Sequence, residues 1–125
     1  MVIIVQQVFV AEVVVYHLVD GSPIGKSAHI AVINPDVGLQ LTRIMVVVTR
    51  NIPVGATFKV EVCNNYFDTN KVWENATEAV LSGLVHVFSN KVKTSSQWGV
   101  VVRVTVNRNG ATGACYVSAI GGNFE

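Results

Sequence analysis

The clearest alternation of apolar and polar residues runs from Thr57 to Cys63, where Phe58, Val60 and Val62 fall on one side and Lys59 and Glu61 on the other. A period of two places successive side chains on opposite faces of an extended backbone, so this segment reads as a half-buried β-strand. The same period recurs from Trp98 to Asn107, with Val102, Val104 and Val106 directed inward and Arg103, Thr105 and Asn107 toward water. Residues 39–50 form a third such segment, in which Leu39, Leu41 and Arg43 share one face and Gln40, Thr42 and Ile44 the other. Shorter apolar runs add one or two strands over residues 1–17, broken at Glu12, and further strands over 29–33, 84–88 and 115–120.

Turn chemistry separates these runs. Asp20-Gly21-Ser22-Pro23-Ile24-Gly25 is dense in residues that fix φ or accept positive φ, which predicts a hairpin or a wide loop. Asn34-Pro35-Asp36-Val37-Gly38 and Asn51-Ile52-Pro53-Val54-Gly55 read as turns, and Asn109-Gly110 as a tight turn into the last strand. Residues 64–70 and 89–97 are polar loops. One segment has helical character: Asn75-Ala76-Thr77-Glu78 resembles a capping box, Ala79, Val80 and Leu81 continue it, and Gly83 stops it. The pattern predicts a single all-β domain over residues 1–125. Its expected architecture is an antiparallel β-sandwich or jelly-roll-like fold of seven to eight strands, with one helical turn near residues 76–82 bridging two sheets.

Composition changes this picture in one respect. Half of the 125 residues are apolar, only 14% are charged, and the mean hydropathy is +0.46. Valine alone fills 27 positions, which favours strands through its branched Cβ. One small core hides only part of this apolar surface, so the excess points to an interface with copies of the chain or with a partner protein. The nine Lys and Arg residues are scattered and the net charge is +1, so nucleic acid is not an expected partner. No run reaches the roughly 18 apolar residues that span a bilayer, and the first residues lack the basic flank of a signal peptide. Synthesis in the cytoplasm without a signal peptide is the expectation.

Candidate chemistry is sparse. Cys63 and Cys115 form no CxxC pair, which leaves buried thiols and a single disulfide as open alternatives. His17, His29 and His86 each lie inside an apolar strand segment, where packing is the commoner role, so no catalytic residue is assigned. Asp68-Thr69-Asn70 offers oxygens to a Ca²⁺ ion but lacks the recurring acids of a calcium loop; no metal and no cofactor is expected. Asn75-Ala76-Thr77 matches a glycosylation sequon, better explained by capping. Tyr66, Phe67, Trp73, Phe88 and Trp98 cluster in sequence, either to seal one end of the sandwich or to anchor an interface. Phe124 stands beyond Gly121-Gly122, which implies that it docks in its own domain or across an interface. Tyr66, Trp73, Trp98 and Phe124 are therefore the candidate interface residues. A glycan-binding or adhesion module using Tyr66, Trp73 and Trp98 is the alternative, and a hydrolase with its site on the sandwich end ranks last.

Three segments carry a resemblance. They are Val72-Trp73-Glu74-Asn75-Ala76-Thr77-Glu78-Ala79-Val80 with Gly83 to Lys91, Trp98-Gly99-Val100-Val101-Val102-Arg103-Val104-Thr105-Val106, and Gly113-Ala114-Cys115-Tyr116-Val117-Ser118-Ala119-Ile120-Gly121-Gly122-Asn123-Phe124-Glu125. Over about residues 72–125 the chain resembles small virion structural proteins of phages and prophages. The resemblance implies a non-enzymatic, self-assembling component of the virion, tail-associated or decorating, present in many copies and in contact with other virion proteins.

The alternation over Thr57–Cys63 yields a direct test. Val60→Asp places a charge in the core and should unfold the domain, whereas Lys59→Ala should change stability by less than about 0.5 kcal/mol. Urea titration monitored by tryptophan fluorescence checks both, and equal effects would mean that the faces are reversed.

Overall fold

The computed structural model describes the backbone of residues 7–10, 16–17 and 27–37, and both backbone and side chains from residue 40 to residue 125. Nine strand segments and one helix are found there: β1 (Gln7–Val10), β2 (Tyr16–His17), β3 (Ser27–Val37), β4 (Arg43–Asn51), β5 (Thr57–Cys63), β6 (Glu74–Asn75), α1 (Thr77–Ser82), β7 (His86–Val87), β8 (Trp98–Asn107) and β9 (Tyr116–Phe124). They form two antiparallel sheets. The first has the order β1-β9-β4-β7, with β2 also on β9; the second has the order β3-β8-β5-β6. The fold is β-rich, as the alternating pattern predicts. The turn expected over residues 20–25 lies outside the described residues, as does Glu12.

β8 is central to the second sheet, and its valines explain why. Val100, Val102, Val104 and Val106 are all buried, opposite Val60 and Val62 of β5 and joined in one cluster with Ile44, Val46, Val48, Val117, Ile120 and Phe124 of the first sheet. Phe58 packs on this cluster from its margin. The inward faces expected for β5 and β8 are the faces observed. Val101 and Cys63 are buried on the opposite face, where the loop after β5 folds back over the sheet: Tyr66 N–H donates to the Gly99 carbonyl at 3.0 Å. A Cβ at Gly99 would collide with the Phe67 ring, so glycine is what lets this loop lie so close.

β9 holds the first sheet together between β4 and the β1 and β2 segments. Phe124 lies opposite Ile44 and is buried in the chain's own core, which settles its docking within the domain. Gly122 sits at φ +148°, and a Cβ there would run into the Met45 carbonyl oxygen. No side chain fits that approach. Glu125 closes the sheet by exchanging backbone bonds with Arg43, its carbonyl accepting at 3.1 Å and its N–H donating at 3.0 Å.

Several expectations are corrected. Asn34-Pro35 does not end a strand: β3 continues through it with a register shift between Ile33 and Asp36, a bulge that accommodates proline's missing N–H. In β4 the buried face is Ile44, Val46 and Val48; Leu41 is buried too, three residues earlier, because regular strand begins only at Arg43. Asn109 and Gly110 have positive φ as their pair predicts, and the turn leads into the last strand, carrying the chain from the second sheet to the first. Arg108, buried, fastens that turn by donating to the carbonyls of Ala111 at 2.9 Å and Gly113 at 2.8 Å. The helix begins one residue late for a capping box. Ala76 is the N-cap and has no side-chain cap bond, while Asn75 Oδ1 accepts the Thr77 N–H at 3.0 Å. The helix ends as expected, with Gly83 left-handed and Leu84 N–H donating to Ala79 at 2.8 Å. α1 touches both β4 and β5 and so bridges the sheets. Of residues 84–88 only His86–Val87 are strand, paired with Arg43 and Ile44.

Two glycines separate conformational strain from steric collision. Gly122→Ala should cost about 3 kcal/mol or more, since backbone must move. Gly83→Ala, left-handed but facing open space, should cost only about 1 kcal/mol. Thermal denaturation of the two variants measures the gap, and similar losses would contradict the close approach of β4 to β9.

Candidate functional site

The loops that follow β5 and β7 are tied together by buried polar side chains. Asn64, Asn65 and Asp68 are all buried. Asn64 Nδ2 donates to the carbonyls of Leu41 at 3.1 Å and Asn90 at 2.9 Å, and Asn90 Nδ2 returns a bond to Asn64 Oδ1 at 2.8 Å. Asn65 Oδ1 accepts from Val72 N–H at 2.9 Å and from the Cys63 thiol at 3.0 Å, while its Nδ2 donates to Asp68 Oδ2 at 3.0 Å. Asp68 also accepts the backbone N–H groups of Thr94 at 2.9 Å and Ser95 at 2.8 Å. Both of its oxygens face donors, an arrangement that suits a carboxylate and repels a cation. Among the described residues no cluster of three His, Cys, Asp or Glu side chains is poised to hold a metal.

Glu74 makes the second tie, from β6 to β7 and the loop beyond it. Its Oε1 accepts from Ser89 N–H at 2.8 Å and meets His86 Nε2 at 3.0 Å, and its Oε2 accepts the Asn90 N–H at 2.9 Å. Burial pulls the Asp68 and Glu74 carboxyls upward, but the N–H donors outweigh it and hold both below the usual carboxylate range, Asp68 furthest. Burial pushes the Cys63 and Cys115 thiols up, so both are poor nucleophiles. They are free cysteines, which decides against the disulfide alternative. His86 is bonded to Glu74, and its ring meets the Phe88 ring edge-on, 5.5 Å between centroids. The side chains of His17 and His29 lie outside the described residues.

The predicted interface aromatics separate into two pairs. Trp98 and Phe124 are 8% and 3% exposed and belong to the core, so neither offers a free surface. Tyr66 and Trp73 are half-buried on the loops. Each of the three ring systems at this end carries a cation over one face: Lys71 over Tyr66 at 5.2 Å, Lys93 over Trp98 at 5.9 Å and Arg103 over Trp73 at 3.8 Å. Arg103 is fixed there by Glu61, its cross-strand partner, at 3.0 Å. A sugar ring stacking on the cation-bearing face of any of these rings would have to displace that side chain.

The apolar surface lies elsewhere. Val47, Leu81, Leu84, Val85 and Val87 are between 46% and 62% exposed. Val87 is opposite Arg43 on the outer face of the first sheet, the face that also carries Val47, and the other three join α1 to β7. Reading residues 84–88 as a strand hid this surface; the only signal for it was the excess of apolar residues over what one core needs. No family model, no curated protein and no solved structure matches the chain.

Because the folded Asp68 and Glu74 carboxyls are depressed, the stability they contribute is present above the ordinary carboxylate range and lost as pH falls below about 4. Urea midpoints should drop over that window, and Asp68→Asn should be less stable at neutral pH with a shallower acid loss. A parallel acid profile in the variant would show that Asp68 is not held as described.

Proposed function

We propose that the chain is a non-enzymatic structural protein that assembles with copies of itself, as a tail-associated or decorating component of a phage or prophage virion, on a jelly-roll-like β-sandwich. The observation that carries this reading is the set of exposed aliphatic side chains on the α1–β7 segment, Leu81, Leu84, Val85 and Val87, with Val47 exposed on the outer face of the first sheet. Each such side chain, once fully buried, contributes about 1.5–3 kcal/mol, so a handful shared across an interface is enough to favour association. The loops next to this surface are fixed by internal hydrogen bonds, so little ordering would oppose docking. The resemblance of residues 72–125 to virion proteins supports the same role. In this reading the chain is made in the host cytoplasm, acts in the virion, needs no cofactor, and meets other virion proteins rather than nucleic acid or membrane.

Sedimentation velocity on the purified chain tests the reading. A defined oligomer is expected at micromolar concentration, and a monomer throughout that range would sink it.

A further inference from the structure

The outer strand of a sheet presents a row of backbone N–H and C=O groups that another strand can complete, and most edges of this fold are short or blocked. β6 and β7 are two residues long. On β5 the outward groups of Val60 are taken: its carbonyl accepts from Ala76 N–H at 2.9 Å, and its N–H donates to Thr77 Oγ1 at 2.9 Å. On β4 the Val48 carbonyl accepts from Arg50 Nη1 at 3.0 Å. β3 is different. It is 11 residues long, forms the margin of the second sheet, and among the described residues pairs with β8 alone. From Ser27 to Asn34 it carries neither a charged residue nor a proline, so the usual guards against edge pairing are missing there.

The register tells which groups of β3 face outward. Both backbone groups of Val60 leave β8, so the opposed Val60 and Val104 are a non-hydrogen-bonded pair, and Val104 bonds instead to Ile30 on its other side. Alternation along β3 then turns the N–H and C=O of Ser27, His29, Ala31 and Ile33 away from β8. This regular stretch ends at the bulge between Ile33 and Asp36. An antiparallel second copy centred on the stretch sets Ser27 against Ile33 and His29 against Ala31 about a two-fold axis at Ile30, and every outward group of the four residues finds a partner. The sequence at the two ends favours that orientation: Asp36 is near one end and Lys26 stands next before the other, so antiparallel copies bring unlike charges together twice. We infer that β3 is an interface between two copies of the chain, which join edge to edge into one continuous sheet. The inference rests on the self-assembly proposed above and adds to it a contact made by backbone. β3 and β7 belong to different sheets. A two-fold contact alone closes a pair, and a second, separate surface is what extends pairs into an assembly of many copies.

Residue-resolved amide hydrogen exchange on the full chain, combined with sedimentation velocity over a concentration series, tests the contact. The His29, Ala31 and Ile33 amides should be protected where the oligomer forms and should exchange at least about tenfold faster where it has dissociated. Ala31→Pro removes one outward N–H and leaves the β8 ladder intact. It should weaken the dissociation constant by about tenfold or more in a chain that circular dichroism shows to be folded, whereas Ala31→Ser, which keeps the N–H, should stay within about threefold of the parent. Should Ala31→Pro fail to fold, exchange in the parent chain decides. Amides that exchange alike in the oligomer and the dissociated chain, or a folded Ala31→Pro that associates like the parent, overturn pairing through β3 while leaving self-assembly through another surface intact. A parent chain that is monomeric throughout overturns both readings.

Discussion

The chain changes sheet at nearly every connection, and this constraint governs the rest of the structure. Ile44 finds Phe124 as its cross-strand neighbour and Phe58 finds Val106, while consecutive strands such as β3 and β4, or β8 and β9, belong to different sheets. Among the described residues only the two-residue β5–β6 ladder joins consecutive strands, so the buried valines of β8 are covered only when both sheets are assembled. Folding of such a chain is expected to be slow and cooperative, with loop-closure entropy lost before contacts compensate for it. It also means that loops need another source of order.

That source is the buried polar network. Asn64, Asn65, Asp68 and Glu74 between them accept or donate to backbone groups of the loops after β5 and β7 and so give those loops fixed partners. A satisfied network stiffens and specifies, where a half-satisfied one would only destabilise. The two carboxylates are consumed in doing this. Their depressed protonation, which in a cleft would suggest acid or base chemistry, is here the signature of N–H donors aimed at them.

What was legible in the sequence followed one-sided burial. β5 and the second half of β8 each have one face in the core, and their period of two gave the right faces. Where both faces are covered, as at Val101 and Cys63, the pattern fell silent, because the covering loop comes from another part of the chain. Turn chemistry was legible as dihedrals and as punctuation, while the change of sheet was not: Asn109-Gly110 has positive φ and leads into the last strand, which belongs to the other sheet. Asn34-Pro35 likewise is a break in regularity, absorbed as a bulge. The aromatics of the candidate site were visible, but not the cations over them. Arg103 reaches Trp73 only because β5 and β8 pair in a register that sets Glu61 opposite Arg103 and Asn75 opposite Glu61.

The same distinction bears on where association would occur. An aromatic cluster is an attractive guess for an interface, but aromatics are also the residues best able to seal a sheet end, and here Trp98 is spent on the core while Tyr66 and Trp73 are covered by cations on one face each. Aliphatic residues on the α1–β7 segment have no such internal use. Their side chains gain nothing by facing water, and β7 is held in register by only two residues, Arg43 and Ile44, so selection for folding alone would tolerate polar substitutes at Leu84, Val85 and Val87. Single exposed apolar residues need no explanation; several on one short segment do.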